Sequence, residues 1–155
     1  DQLVLSNIVA YDSWPIDDML SLGNPSWKAK PAAEVIGLLE AGLPDGLYNK
    51  DRLTSEFKRN IFAPYNSEEG KISLIRNASS LNTNHTTMLA DHHSEINSHT
   101  LILWGVHDPW QTIADGEKLA QEIPSATLVR LEKASHWLQQ DSPKEFAGEI
   151  IKFLA

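Results

Sequence analysis

The chain has 155 residues, 41% hydrophobic and 22% charged, a balance that fits one globular domain burying roughly two-thirds of its unfolded surface and excludes disordered and fibrous classes. Thirteen Lys plus Arg against twenty-one Asp plus Glu leave a net charge of -8, which repels phosphate backbones and anionic lipid, so neither nucleic acid nor a membrane is expected as a partner. With no Cys there are no disulfides, thiolate zinc sites or cysteine nucleophiles, and no apolar run reaches the ~18–20 residues of a membrane span; a soluble protein is expected, the cytoplasm favoured.

Leu3, Val4 and Leu5 open a β-like run that continues through Ile8, Val9 and Ala10. A buried strand needs neighbours on both edges, so its place at the start predicts a piece of a longer chain. From residue 12 to 97, Trp, Pro, Asn, Ser and charged residues mix with apolar positions at helical spacing. Val35, Leu38, Leu39 and Leu43 form one stripe, closed by the Gly42, Pro44, Asp45, Gly46 cluster. Leu53, Phe57 and Ile61 form a second before Pro64, residues 72–81 a third, and residues 84–96 a weaker fourth. There is no internal repeat, and the segment reads as a helical insert.

Thr100, Leu101, Ile102, Leu103 and Trp104 make a nearly continuous apolar run, the pattern of a strand covered on both faces. A helix over residues 114–122, a strand over 127–131 and a closing helix follow. Ser142, Pro143 and Glu145 have the chemistry of a capping box, and Phe146, Ile150, Phe153 and Leu154 form the helix's apolar stripe. Strand, helix, strand, helix at this spacing predicts parallel pairing and an α/β class.

Functional groups in open parallel sheets collect beyond the carboxyl ends of the strands. Asp108 lies in the loop after Trp104 and His136 in the loop after Leu131, so adjacent parallel strands bring them to one end of the sheet. A carboxylate that orients an imidazole, with the ring moving the proton, is what hydrolytic chemistry requires.

The runs L-I-L-W-G-V-H-D-P-W and A-S-H-W-L-Q-Q-D-S-P together resemble the α/β-hydrolases, with an acid after the penultimate strand and a His after the last. The resemblance implies the C-terminal portion of a doubly wound, mostly parallel sheet of about three strands at residues 1–11 and 98–155, with a helical cap at 12–97. It implies His136 as base and Asp108 as acid of a cofactor-independent hydrolase acting on an ester-like bond of a small, partly apolar substrate. Asp12 is an alternative acid, because some relatives carry theirs after the corresponding earlier strand. Ser135 stands where the family usually has Gly, and no G-x-S-x-G occurs in the chain. The nucleophile, the oxyanion-hole segment and about five strands therefore fall to a missing N-terminal half, the one macromolecular partner expected.

H-W-L-Q-Q-x-x-P is also similar to epoxide hydrolases, which leaves an Asp-nucleophile epoxide hydrolase or haloalkane dehalogenase open. Leu74-Ile75-Arg76-Asn77 stands in place of their W-Y-R-N-like stretch, so Tyr48 and Tyr65 are the substitutes for its tyrosine. A non-catalytic binding or scaffold protein on the same fold is the competing class. Trp110, Trp137 and Trp14 are candidates for an apolar substrate pocket at the cap interface, with core packing as the alternative for each. His85, His92, His93, His99 and His107 crowd one stretch, but adjacent His residues project to different sides of a helix and no i, i+4 His pair accompanies a carboxylate, so no metal is expected.

Overall fold

The computed structural model describes all 155 residues, Asp1–Ala155. Three strands, β1 (Gln2–Ser6), β2 (His99–Gly105) and β3 (Ala126–Leu131), form one parallel sheet in the order β1-β2-β3. Between β1 and β2 lie α1 (Asp17–Leu22), α2 (Ala32–Gly42), α3 (Ser55–Phe62), α4 (Glu68–Ser79) and α5 (Asn84–Ala90), linked by short 3-10 turns. The helix α6 (Ile113–Glu122) connects β2 to β3, and α7 (Leu138–Asp141) and α8 (Pro143–Leu154) follow β3.

The central strand explains its own composition. Alternate side chains of β2 point to opposite faces, so Ile102 and Trp104 pack on Leu119 of α6 and on Ile123 just after it, while Leu101 and Leu103 pack with Leu131, Leu138 and the half-buried Phe146, Ile150 and Phe153 of α8. Both faces are covered, and residues 100–105 are all buried. Each fully enclosed side chain here contributes about 1.5–3 kcal/mol. The insert has its own apolar centres, one around Leu22, Val35, Leu74 and Ile75, another around Ile36, Leu43 and Phe62.

Three local expectations are corrected, and one helix is found where the sequence showed none. β1 stops at Ser6 because Asn7 takes a left-handed conformation, φ 41°, which turns Ile8 and Ala10 out of the sheet and against the α6 layer. The short helix α1 carries only six residues, too few to show a periodic stripe in the sequence. Ser142 does not form a capping box with Glu145; its hydroxyl turns to the carbonyl of Lys133, and its amide closes α7 on Leu138. The box sits instead at α6, where the Asp115 carboxylate accepts from both the amide and the hydroxyl of Thr112. Leu154 is 54% exposed, since it lies about 100° around the helix from Phe153 and off the line that meets the sheet.

Both ends of the insert are tied to α6 through one carboxylate. Tyr11 donates its hydroxyl to Glu122 Oε2 at 2.7 Å, and His93 Nδ1 lies 2.8 Å from the same oxygen. Lys118 sits 3.9 Å above the Tyr11 ring and 3.8 Å from the carboxylate. Burial and the hydrogen bond to Glu122 push the Tyr11 phenol well above its ordinary range. For Glu122, partial burial opposes ionisation, but the hydrogen bonds from His93 and Tyr11 and the charges of Lys118 and His93 outweigh it and hold the carboxyl below its ordinary value of 4.5. A carboxyl depressed on folding stabilises the native state above its unfolded value and loses that contribution as pH falls through the lower folded one. Urea unfolding at stepped pH is therefore expected to show wild-type stability dropping below about pH 4.5 more steeply than that of Glu122→Gln. Parallel pH profiles for the two proteins would remove Glu122 from this role.

Candidate functional site

Gly105 of β2 pairs with Leu131 of β3 as the last step of the register, so the two following loops leave the sheet side by side. The first continues the contact by donating the amide of His107 to the carbonyl of Ala134 at 3.1 Å. A Cβ on Gly105 would run into the Ser135 carbonyl and Leu138, so only glycine lets the second loop cross the end of β2 this closely.

That crossing brings Asp108 and His136 together. The Asp108 side chain is fully enclosed; its Oδ1 accepts the amides of Trp110 at 2.9 Å and Gln111 at 3.0 Å, and its Oδ2 lies 2.8 Å from His136 Nδ1. An ionised carboxylate only accepts, so this contact places the imidazole proton on Nδ1 and leaves the Nε2 lone pair open. The His136 side chain is 25% exposed, with the rings of Trp110 and Trp137 set edgewise at 4.9 and 5.4 Å. The pair can orient a base, accept a proton and stabilise the resulting imidazolium.

Two further side chains hold this loop, and neither stood out in the sequence. Asn7 donates Nδ2 to the carbonyls of Ser135 at 3.0 Å and His136 at 3.3 Å, while its Oδ1 accepts the Gly105 amide at 2.9 Å. Asp141 is buried; its Oδ2 accepts the amides of Ser135 and Tyr48, both at 2.9 Å, and its Oδ1 accepts that of Asn49 at 3.0 Å. It therefore joins the His136 loop to the insert. The available sequence signals were slight: Asn is the non-glycine residue that most readily takes φ > 0 at a strand end, and Asp141 closes the H-W-L-Q-Q-D run.

A cavity of ≈ 240 Å³ opens beside His136. Trp110 and Trp137 line it from the core loops, and Trp14, Leu39, Phe62 and Tyr65 are among those lining it from the insert. All three tryptophans that the sequence singled out are half-buried in this wall. Tyr48 lies elsewhere: it is 45% exposed, and its ring stacks 4.7 Å from that of His107. Asp12 is exposed and is not the carboxylate beside His136; Asp108 fills that position. His92 and His93 pair with Glu95 and Glu122 rather than with each other, and no three His, Asp or Glu side chains converge into a metal-binding group. No helix is long and apolar enough to cross a membrane.

No family model matches the chain. Solved structures match it almost end to end: an α/β hydrolase fold protein from Burkholderia ambifaria has a TM-score of 0.86 at 20% identity, covering 97% of this chain and 56% of that one. An esterase from Thermogutta terrifontis has a TM-score of 0.71 at 18% identity, covering 99% and 55%. A meta-cleavage product hydrolase from Pseudomonas fluorescens has 0.67 at 18%, again covering 99% and 55%. Among curated proteins, Epoxide hydrolase 1 of Caenorhabditis elegans is 38% identical over 55 residues, which is 36% of this chain and 14% of that protein. The chain thus spans little more than half the length of the structures it matches. Its three parallel strands, with the helices around them, have the fold of the C-terminal portion of an α/β hydrolase.

Proposed function

We propose that the chain carries the base and acid of a hydrolase that cleaves an ester-like bond in a small, partly apolar molecule, with residues 12–97 acting as the cap. The observation that carries this reading is the 2.8 Å contact between His136 Nδ1 and a fully enclosed Asp108 carboxylate, on a ring that also lines an apolar cavity. In this reading Nε2 of His136 takes the proton from the attacking group and later returns it to the leaving group. Asp108 fixes the tautomer and steadies the imidazolium without becoming protonated itself. The apolar wall receives the body of the substrate and strengthens the electrostatics at the ring by excluding water.

The attacking group comes from outside these 155 residues. Ser135 is the hydroxyl nearest His136 in sequence, and it is turned away, donating to the carbonyl of His107 at 2.9 Å. A second reading, an epoxide hydrolase with an Asp nucleophile, draws on the local similarity to the Caenorhabditis elegans protein. Tyr65 lines the cavity and would be the hydroxyl that polarises an epoxide oxygen. Both readings use the same His136 and Asp108 and differ in the group that attacks. Asp141 serves either one as a positioning residue, because its carboxylate fixes the Ser135 amide next to the base and the Tyr48 and Asn49 amides of the cap at once.

The 155-residue chain is expected to hydrolyse a p-nitrophenyl ester no faster than buffer. Joined to coding sequence that supplies G-x-S-x-G or G-x-D-x-G, it should turn over, and His136→Ala should lose nearly all of that activity. Asp108→Asn should lose about 10⁴-fold, and the double variant little more, because the two residues form one proton-transfer unit. Near-normal turnover by His136→Ala in the joined chain, or turnover by the 155 residues that Ser135→Ala abolishes, would refute the assignment.

For Asp141→Ala the expected loss is roughly 2–4 kcal/mol, from three backbone amides left without their acceptor. Hydrogen exchange at Ser135, Tyr48 and Asn49 should accelerate together. Acceleration at Ser135 alone would show that another contact holds the insert to the loop.

A further inference from the structure

Gly46 ends the 3-10 turn Leu43–Gly46 and is buried behind the cavity wall: it does not line the cavity, whereas Trp110 and Trp137, which do, lie directly against it. A Cβ on Gly46 would stand 2.5 Å from Trp137 Nε1, 2.7 Å from Trp137 Cδ1 and 2.9 Å from Trp110 Cζ3. Backbone conformation does not ask for glycine here, since no glycine of the chain has a positive φ. What this glycine supplies is space for two indoles at once.

The backbone on either side of Gly46 is tied to the His136 loop. The Gly46 carbonyl accepts the Trp137 amide at 3.0 Å, the Asp45 carbonyl lies 3.4 Å from the Ser135 hydroxyl, and Asp141 holds the amides of Tyr48 and Asn49. A side chain at position 46 therefore displaces the rings rather than the turn, and the empty space that both rings border is the cavity. Trp137 Nε1 is enclosed without an acceptor, so no hydrogen bond from the indole resists that displacement.

We propose that Gly46 is a specificity-determining residue of the cavity: by letting Trp110 and Trp137 recede, it keeps the ≈ 240 Å³ beside His136 open to a group the size of an aromatic ring. A side chain in its place restricts the site to short aliphatic groups. This rests on the reading of the cavity as the substrate site and assigns that site a ring-sized apolar group. Gly46 reaches the ligand only through the two indoles, so it acts as a positioning residue, and its effect is on which ligand fits.

The test uses two uncharged esters, methyl butanoate and methyl 3-phenylpropanoate, as ligands of the purified chain. Binding is followed by calorimetry and by tryptophan fluorescence, since Trp14, Trp110 and Trp137 all line the cavity. Wild type should hold the aryl ester at least about tenfold tighter than the short one, because the ring removes more apolar surface from water. Gly46→Ala should lower that ratio to about twofold or less, by weakening the aryl ester while the short ester keeps its affinity. Trp137→Phe, with a smaller ring, should raise the ratio, and Gly46→Ala added to it should bring the ratio back toward the wild-type value. This second pair carries the test by itself if the single alanine variant does not fold. Gly37→Ala, on the exposed side of α2 where a Cβ meets nothing within 4 Å, should leave the ratio alone. A ratio that Gly46→Ala leaves unmoved in either background, even with a loss of stability, would overturn the inference and leave the cavity as a binding site. So would equal binding of the two esters to wild type. Failure of both to bind would overturn it together with the reading of the cavity as a substrate site.

Discussion

The 2.8 Å contact between Asp108 and His136 joins two loops through a carboxylate whose side chain has no exposure to solvent. An enclosed charge is tolerated only when its lone pairs are met, and here two backbone amides and one imidazole N–H meet them. If the His136 loop moved away, a buried charge would lose one of its three partners, so the electrostatics of Asp108 pull the loop into place. The parallel register makes the contact reachable, because Gly105 and Leu131 end their strands as paired neighbours. Gly105 makes it close enough, since its missing side chain is the space that the carbonyl of Ser135 uses.

The insert is fixed to this arrangement at separate places. On the α6 side, Tyr11 and His93 share the Glu122 carboxylate. On the His136 side, Asp141 binds Tyr48 and Asn49, and the Trp137 amide donates to the carbonyl of Gly46 at 3.0 Å. Gly46 could not carry a Cβ there, because the indoles of Trp137 and Trp110 already occupy its space. The cavity is therefore a composite of insert and core loops, and its shape depends on contacts that also hold the His136 loop. Substitutions in the 43–49 segment are coupled to the position of His136 through Asp141 and Gly46, although none of these residues touches the imidazole's open nitrogen.

The parallel core was legible because its signal is local and strong. Thr100 to Trp104 reads as a strand covered on both sides, and the loop acid and loop His are placed by the strands that precede them. The boundary errors came from interactions that local sequence does not encode. Asn7 ends β1 through hydrogen bonds to Gly105, Ser135 and His136, more than ninety residues away in sequence. Ser142 reads as an N-cap, yet its amide and hydroxyl are drawn to Leu138 and Lys133, so the tight α7–α8 turn overrides the box. Among the pocket candidates, Tyr65 and Tyr48 are not separable by local pattern, since which of them lines the cavity depends on how the short helices of the insert are stacked.

Two enclosed donors have no hydrogen-bonding partner, Trp137 Nε1 and Gln111 Nε2, and both belong to residues that build the site. Leaving such a group unmet costs about 1–3 kcal/mol, enough that a purely structural position would favour an apolar side chain. Gln111 offsets part of this by what its other atoms do: its amide holds Asp108, its carbonyl accepts the Trp104 indole at 2.9 Å, and its Oε1 accepts the Ser13 hydroxyl at the entry to the insert. Trp137 has no such second use for its N–H, which is packed against Gly46. Its ring instead lines the cavity and stands edge-on to His136, a flat apolar wall beside the imidazole. Proteins break local rules of polar satisfaction where function constrains shape. Both exceptions sit beside the same pair of side chains, Gln111 donating its amide to Asp108 and the Trp137 ring standing edge-on to His136.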